Sequence, residues 1–157
     1  MVYFNKILIF LKKKARALRI LVLLIVISFT LYLAQDREQG LEVEIANCKF
    51  KTELAKTAQA HYQGLSNRES MKKNEAMLFL FKNKKVRNFV MRDMYFPLDI
   101  IYIRDNQVVN LYQNLIPEGS EPKNMYESST EVDAVLEINA GLSEYCSIKP
   151  GSKVSWK

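Results

Sequence analysis

Two carboxylates, Asp99 and Glu137, have the sequence setting best suited to chemistry. Asp99 lies near the start of an apolar run at residues 98–103, and Glu137 lies inside another at 132–138. A charge among apolar residues needs a partner or an open cleft. Two carboxyl groups in one cleft can act as acid and base on a glycosidic or related bond. The interpretation we favour is simpler: Glu137 points outward from an alternating strand, and Asp99 fixes a turn.

Three further residues are candidates for binding: Arg68, Met91 and Asn139. The planar guanidinium of Arg68 could hold an anionic ligand in bidentate fashion, but an internal pair with one of the two acids is favoured. Met91 shares a strand face with Phe89, which is more typical of a core than of a binding platform. Asn139 is most simply explained as a helix cap, and less simply as a ligand.

The sequence indicates no metal or cofactor site. His61 is the only histidine, and no cysteine or second histidine stands at metal-ligand spacing from it. For the same reason we find no Ser-His or Cys-His nucleophile pair. The five glycines are scattered and form no phosphate-binding loop. These patterns favour a non-enzymatic protein.

Cys48 and Cys146 are the only cysteines. In an oxidising compartment they could form a disulfide. Two independent buried thiols are the alternative that we favour, because the sequence gives no distance between them.

The elements that must position these residues are mostly short strands. Alternating apolar and polar residues predict strands at 41–45 and 50–54, with a Thr57-capped helix to Gln63 ended by Gly64. Further strands are expected at 77–81, 86–91, 132–138 and 153–156, and a hairpin at 98–103 and 107–115, with a loop at 116–130 and a helical turn at 140–145. The expected fold is mainly β: a compact antiparallel barrel or sandwich with one or two short helices.

Residues 1–35 differ in composition from the rest of the chain. They hold six basic residues and no acidic residue. The whole chain has 23 Lys and Arg against 17 Asp and Glu, so subtracting the six leaves 17 of each sign. The net charge of +6 therefore belongs to this leader, and nucleic acid is not an expected partner.

The leader contains an uncharged apolar run at residues 20–34, preceded by basic residues. This arrangement predicts an N-terminal transmembrane or signal helix, with the N-terminus in the cytoplasm and the following domain outside. Tyr32 stands where signal cleavage after Ala34 would require a small residue, so an uncleaved single-pass anchor is favoured. Secretion to the periplasm after cleavage is the alternative.

Five segments follow one another in a fixed order along the chain: QGLSNRESM (63–71), MLF (77–79), FVMR (89–92), PLDIIYI (97–103) and VLEINAG (135–141). Together they resemble the bacterial and archaeal family DUF192, also called UPF0127. The resemblance covers residues 48–157, with 36–47 as linker and first strand, and it implies a compact β domain. Val90 departs from the family pattern, which commonly has Trp there. The family's biochemical function is not established, so the resemblance implies a fold and no activity.

Three functions are consistent with these observations. We favour an exported, membrane-tethered domain with a binding or envelope-maintenance role, whose partner is an unidentified envelope protein or ligand. The first alternative is a small hydrolase or lyase that acts on envelope carbohydrate or peptide through Asp99 and Glu137. The second is a structural accessory subunit that pairs with a partner through a strand edge.

Overall fold

The computed structural model describes residues 22–25, 28 and 41–157. The chain divides into two compact units, Met1–Gln39 and Gly40–Lys157. In the first unit residues 22–25 and 28 are helical, and most of the predicted leader lies outside the described residues. No helix among the described residues has both the length and the apolar character needed to cross a membrane.

The second unit contains nine strands and two short helices. In chain order they are β1 (Leu41–Ile45), β2 (Cys48–Ala55), α1 (Ala58–Gln63), β3 (Glu75–Lys85), β4 (Asn88–Phe89), β5 (Leu98–Arg104), β6 (Gln107–Leu115), β7 (Tyr126–Glu127), β8 (Val132–Asn139), α2 (Leu142–Tyr145) and β9 (Val154–Trp156). The mainly β class is therefore confirmed. The two strands predicted at 77–81 and 86–91 are instead one long strand and a two-residue strand that pairs with β7.

Seven strands form one curled sheet in the order β6-β5-β8-β3-β2-β1-β9. The sheet is not wholly antiparallel as predicted, because β2 and β3 run parallel. Parallel neighbours need a crossover connection, and residues 56–74, which include α1, supply it. This crossover places α1 beside the sheet, where it forms part of the candidate site.

The two edges of the sheet meet at one end. Gln107 at the start of β6 pairs with Lys153 in an isolated bridge. The N–H of Val108 donates to the carbonyl of Ser152, and the carbonyl of Val108 accepts from the N–H of Gly151. The N–H of Val154 donates to the carbonyl of Asn106. The sheet is thus a half-barrel whose edges join at one end. Of the two predicted architectures, a barrel or a sandwich, it resembles the barrel in part.

The central strands are buried on both faces, which creates two apolar cores. One core contains Ile101, Leu136 and Ile138, and the other contains Phe79, Ile100 and Val135. Six of the seven residues of β5, all but Arg104, are buried. Because successive strand residues point to opposite faces, both faces of this strand are covered. The simple apolar-in, polar-out alternation holds for β1 and most of β2, but not for these central strands.

Cys48 and Cys146 form a disulfide, with their Cα atoms 5.6 Å apart. Cys48 begins β2, and Cys146 is the buried residue that follows α2. The bond joins positions separated by 98 residues along the chain. It therefore attaches the C-terminal segment to the β1–β2 hairpin. The favoured interpretation of two independent thiols is wrong, because the fold brings the two cysteines within bonding distance.

Helix α1 begins and ends as the sequence predicts. The Thr57 side chain accepts a hydrogen bond from the Ala60 N–H, and Gly64 ends the helix at φ 50° and ψ −132°. Only glycine adopts that conformation without strain. A Cβ atom at position 64 would also lie 3.5 Å from Cζ of Phe79.

We expect Gly64→Ala to lower the free energy of unfolding by about 1–3 kcal/mol, because alanine must adopt a strained backbone conformation there. Urea denaturation measures this loss. Gly119→Ala is the matched control, since no atom lies within 4 Å of a Cβ added at that position, and its change should stay within about 0.5 kcal/mol. Equal effects of the two substitutions would contradict the strain argument.

Candidate functional site

A cavity with a volume of about 510 Å³ opens beside the half-barrel. Its walls come from α1 and the turn that follows it, from β3, from residues 86–94 and from the middle of β8. The rings that line it are those of His61, Tyr62, Phe79, Phe81 and Phe89. The lining combines these rings and other apolar side chains with seven polar or charged residues, and apolar walls with convergent polar groups are typical of small-molecule sites.

Glu137 is the acidic residue that lines this cavity. It lies in the middle of β8, opposite Met77 of β3 and Ile100 of β5. The residue is only 5% exposed. Among the described residues, no group donates a hydrogen bond to its buried Oε2 atom. A Cβ at Gly64 would lie 3.9 Å from that oxygen, so the glycine that ends α1 lies directly beside the carboxyl group.

Burial raises the pKa of Glu137 to about 8, and the charge of Arg68 acts in the opposite direction. The physical cause is desolvation, which disfavours the charged carboxylate. At neutral pH the side chain is therefore mostly a neutral carboxylic acid, able to donate one hydrogen bond and to accept others.

Two arginines also line the cavity, and each stacks on an aromatic ring. The guanidinium carbon of Arg87 lies 3.9 Å from the centroid of Phe81, and that of Arg92 lies 4.0 Å from the centroid of Tyr62. Arg92 also donates from Nη2 to the Tyr62 carbonyl at 2.7 Å. The buried Nε of Arg87 has no hydrogen-bond partner among the described residues.

The structure does not bring Asp99 and Glu137 together. Asp99 pairs with Ile138, the neighbour of Glu137 in β8, so the two carboxyl groups point to opposite faces of the sheet. Asp99 is fully buried. This arrangement removes the geometric basis for a catalytic acid pair.

Asp99 has a structural role instead. Its Oδ1 accepts from the Asn114 N–H at 2.8 Å, and its Oδ2 accepts from the N–H and the hydroxyl of Ser143 at 2.9 and 2.7 Å. These bonds fix an irregular turn of β6, where Asn114 has φ 54°, to the start of α2. The expectation that Asp99 ties down a turn agrees with this geometry, whereas Glu137 does not point outward to solvent.

The three candidate binding residues occupy other places. Arg68 forms a bidentate pair with Glu53, at 2.7 and 2.8 Å, and not with either predicted acid. Met91 is fully buried in a core.

Asn139 donates from Nδ2 to the carbonyls of Met71 and Lys72, both at 3.0 Å. It does not cap α2, because the N-cap residue is Gly141. The amide instead holds the end of the crossover against β8, so the cap interpretation is wrong.

The sequence patterns do not indicate Arg87 and Arg92 as site residues. Arg87 lies inside the strand predicted at 86–91, and Arg92 directly follows that strand. Only the pairing of β4 with β7 and the fold of α1 over the sheet place both arginines at the cavity. His61, which the sequence favours neither as a metal ligand nor as part of a nucleophile pair, has its Nε2 3.0 Å from the Ala55 carbonyl and packs its ring on Phe81.

Other parts of the described surface have fewer features of a binding site. Across residues 22–25, 28 and 41–157, no three His, Cys, Asp or Glu side chains are grouped so as to hold a metal ion. A depression of about 710 Å³ lies near residues 105–107 and 152–155. None of the buried unpartnered side-chain atoms in the described part of the chain belongs to its lining residues.

The raised pKa of Glu137 makes the stability of the fold depend on pH. In the unfolded state this group has a pKa of 4.5, so it loses its proton at a lower pH than in the folded state. The contribution of this group to the free energy of unfolding is therefore complete below pH about 4.5 and is lost as the pH rises to about 8. We expect the free energy of unfolding to fall over this interval by an amount on the order of a few kcal/mol.

Glu137→Gln should remove this slope, because glutamine remains neutral, and the variant should be more stable than the parent protein at pH 9. Urea denaturation at each pH unit from 5 to 9 measures the effect. Glu121→Gln, which changes an exposed glutamate, is the matched control and should keep the slope. Identical slopes for the parent protein and Glu137→Gln would disprove the raised pKa.

Comparison with known proteins identifies a family and two similar structures. Residues 37–156 match the family DUF192, described as an uncharacterized ACR. A protein of unknown function from Novosphingobium aromaticivorans DSM 12444 is 34% identical, with a TM-score of 0.69 over 73% of this chain and 84% of that one.

A second crystal structure, of a putative transcription regulator from Sinorhizobium meliloti 1021, is 27% identical. Its TM-score is also 0.69, over 74% of this chain and 93% of that one. No curated protein matches the chain significantly. Because the family match spans all nine strands, from β1 to β9, the protein belongs to the DUF192 family.

Proposed function

We propose that the β domain is a binding module for a small molecule, held by its N-terminal leader at the outer face of the cytoplasmic membrane. The observation that carries the binding role is the buried, unpartnered Oε2 of Glu137 in the wall of an aromatic cavity. A buried polar atom without a partner costs about 1–3 kcal/mol. A ligand that bonds to this atom would recover that free energy.

The dimensions and chemistry of the cavity support a small ligand. Its volume of about 510 Å³ falls within the range of about 300–1,000 Å³ that is common for such sites. Apolar walls supply affinity through burial, and a few polar groups supply orientation. Binding fits better than hydrolysis, because Glu137 has no second carboxylate beside it in the cavity lining.

The strand-edge alternative has less support. The edge strands β6 and β9 already bond to each other's ends through residues 106–108 and 151–154. A partner strand would have to compete with these bonds. We therefore place the interaction of this domain at its cavity.

The location outside the membrane rests on the leader and on the disulfide. All net positive charge lies in residues 1–35, on the N-terminal side of an apolar run, as expected for cytoplasmic retention of the N-terminus. The described leader residues Val22, Leu23, Leu24 and Ile25 are helical and more than half exposed. A disulfide such as Cys48–Cys146 persists in oxidising compartments.

We expect the full chain to remain in the membrane pellet after carbonate extraction, and the β domain to be digested by protease added to spheroplasts. Cys48 and Cys146 should react with a maleimide only after denaturation and reduction. A shorter soluble form in the periplasm would favour the cleaved-signal alternative. A soluble cytoplasmic protein with two reactive thiols would contradict export.

We expect fragments with an aromatic or aliphatic body to bind the full chain in detergent micelles, as observed by saturation-transfer NMR with empty micelles as the blank. Val90→Trp should abolish this binding, because Val90 lines the cavity and the indole would fill it. Ile116→Trp is the matched control, since Ile116 is 67% exposed and outside the cavity. Hits that bind Val90→Trp as well as the parent protein would contradict the proposed site.

A further inference from the structure

We propose that the cavity selects a small organic anion, namely a carboxylate on an aromatic or other apolar body, with Arg87 and Arg92 binding the charge and Glu137 donating a hydrogen bond. This inference rests on the proposed binding function and specifies the chemistry of its ligand.

The charge of the cavity lining favours an anion. The lining residues include the two guanidinium groups of Arg87 and Arg92 and one carboxyl group, that of Glu137. Arginine is always charged, whereas Glu137 is mostly neutral at pH 7 because burial raises its pKa to about 8. Counted over its lining residues, the cavity therefore has a net positive charge at neutral pH; Asp93, whose Oδ2 lies 4.0 Å from Nε of Arg92, is not one of those residues. An anion is attracted to such a surface, and a cation is repelled.

Unsatisfied hydrogen bonds in the cavity lining also favour an anion. Two residues that line the cavity each have a buried side-chain atom without a partner within the described structure: Arg87 at Nε and Glu137 at Oε2. The N–H of Arg87 can only donate, and a neutral carboxyl group can also donate. A ligand with acceptor oxygens, such as a carboxylate, can satisfy both donors. Hydrogen bonds between a donor and an ionised acceptor are among the stronger ones in proteins.

The side chains of the two arginines are already held in place. Arg87 stacks on Phe81 and donates from Nη2 to the Asn83 carbonyl at 2.8 Å. Arg92 stacks on Tyr62. Because neither side chain has to be immobilised on binding, less conformational entropy is lost when an anion arrives.

The walls of the cavity favour an apolar body for the remainder of the ligand. Leu65 and Met94 join the aromatic rings of the wall. Phe79 and Phe89 pack edge to face, with centroids 4.9 Å apart. A purely hydrophilic anion, such as inorganic phosphate, would leave these surfaces unmatched. An apolar body gains free energy by burying these surfaces.

Binding of an anion should be coupled to the protonation of Glu137. On β5, Tyr102 interacts with the charge of Glu137, and on β3 the neighbouring residues Met77 and Phe79 have no titratable group. Helix α1, the turn after it and residues 86–94 contribute the other titratable or charged groups near this carboxyl: His61, Tyr62, Arg68, Arg87 and Arg92. Ionised Glu137 would repel the ligand and could no longer donate, so affinity should fall as the pH rises through about 8.

The experiment uses three probes that share a phenyl ring and differ in charge: benzoate, benzamide and benzylamine. Each is titrated into the full chain in detergent micelles, followed by saturation-transfer NMR and calorimetry, with empty micelles as the blank. Benzoate should bind most tightly at pH 7. Its dissociation constant should rise about tenfold between pH 7 and pH 9, as expected for one proton with a pKa near 8.

Four variants assign this behaviour to residues. Arg87→Gln should weaken benzoate binding by about tenfold, whereas Arg104→Gln, an arginine outside the cavity, should not change it. Glu137→Gln should bind benzoate with no change in affinity between pH 7 and 9. Because His61 also lines the cavity, His61→Gln is included and should keep the pH dependence. Circular dichroism establishes that each variant is folded.

The opposite results would overturn the inference in distinguishable ways. Tighter binding of benzamide or benzylamine than of benzoate would disprove anion selectivity and leave the cavity as a ligand site. The same holds if benzoate affinity is unchanged in Arg87→Gln. If none of the three probes binds and the fragments also fail to distinguish Val90→Trp from Ile116→Trp, both the inference and the binding function are wrong.

Discussion

Strands β5 and β8 and the first half of β3 have no solvent-facing side, and the remaining features of the domain depend on this two-sided burial. One face packs inside the half-barrel, and the other is covered by α1, by β4 with β7 and by the loops beside them. In such strands an ionisable residue is buried whichever way it points. Each one must either find protein partners or remain exposed to a cavity.

Asp99 and Glu137 illustrate the two outcomes on neighbouring strands. Asp99 points to the face where α2 and the irregular part of β6 supply three N–H and O–H donors. Glu137 points to the other face, where Met77, Ile100 and the glycine that ends α1 surround it. The first carboxylate stabilises the fold, and the second stands in the wall of an open space with a raised pKa. Similar sequence settings thus lead to different chemistry because the covering elements differ.

The cavity owes its existence to the parallel pairing of β2 with β3. That pairing requires a crossover, and the crossover places α1 across one end of the sheet. Gly64 ends this helix beside Phe79 and Glu137, in a backbone conformation that keeps side-chain atoms out of the space. Arg87 and Arg92 reach the same cavity from the segment around β4. The site therefore combines segments that are distant in sequence, from α1 to β8.

Several local elements and the family can be predicted from the sequence alone. Alternation in β1 and β2, the Thr57 cap with the Gly64 terminator, and the hairpin of β5 and β6 could all be predicted, because each depends on residues close in the chain. The charge imbalance that marks residues 1–35 is likewise a property of sequence alone. The five matching segments led to DUF192, and the family match confirms it.

Only the tertiary structure decided which face of each central strand is covered, and by what. Strand alternation predicted an outward Glu137, but α1 and residues 86–94 cover that face, so the carboxyl group is buried. The pairing of Arg68 with Glu53, the disulfide between Cys48 and Cys146, and the placement of Arg87 and Arg92 also join residues far apart in the chain. Such contacts follow from strand order and crossover geometry, which periodicity within a single segment does not specify.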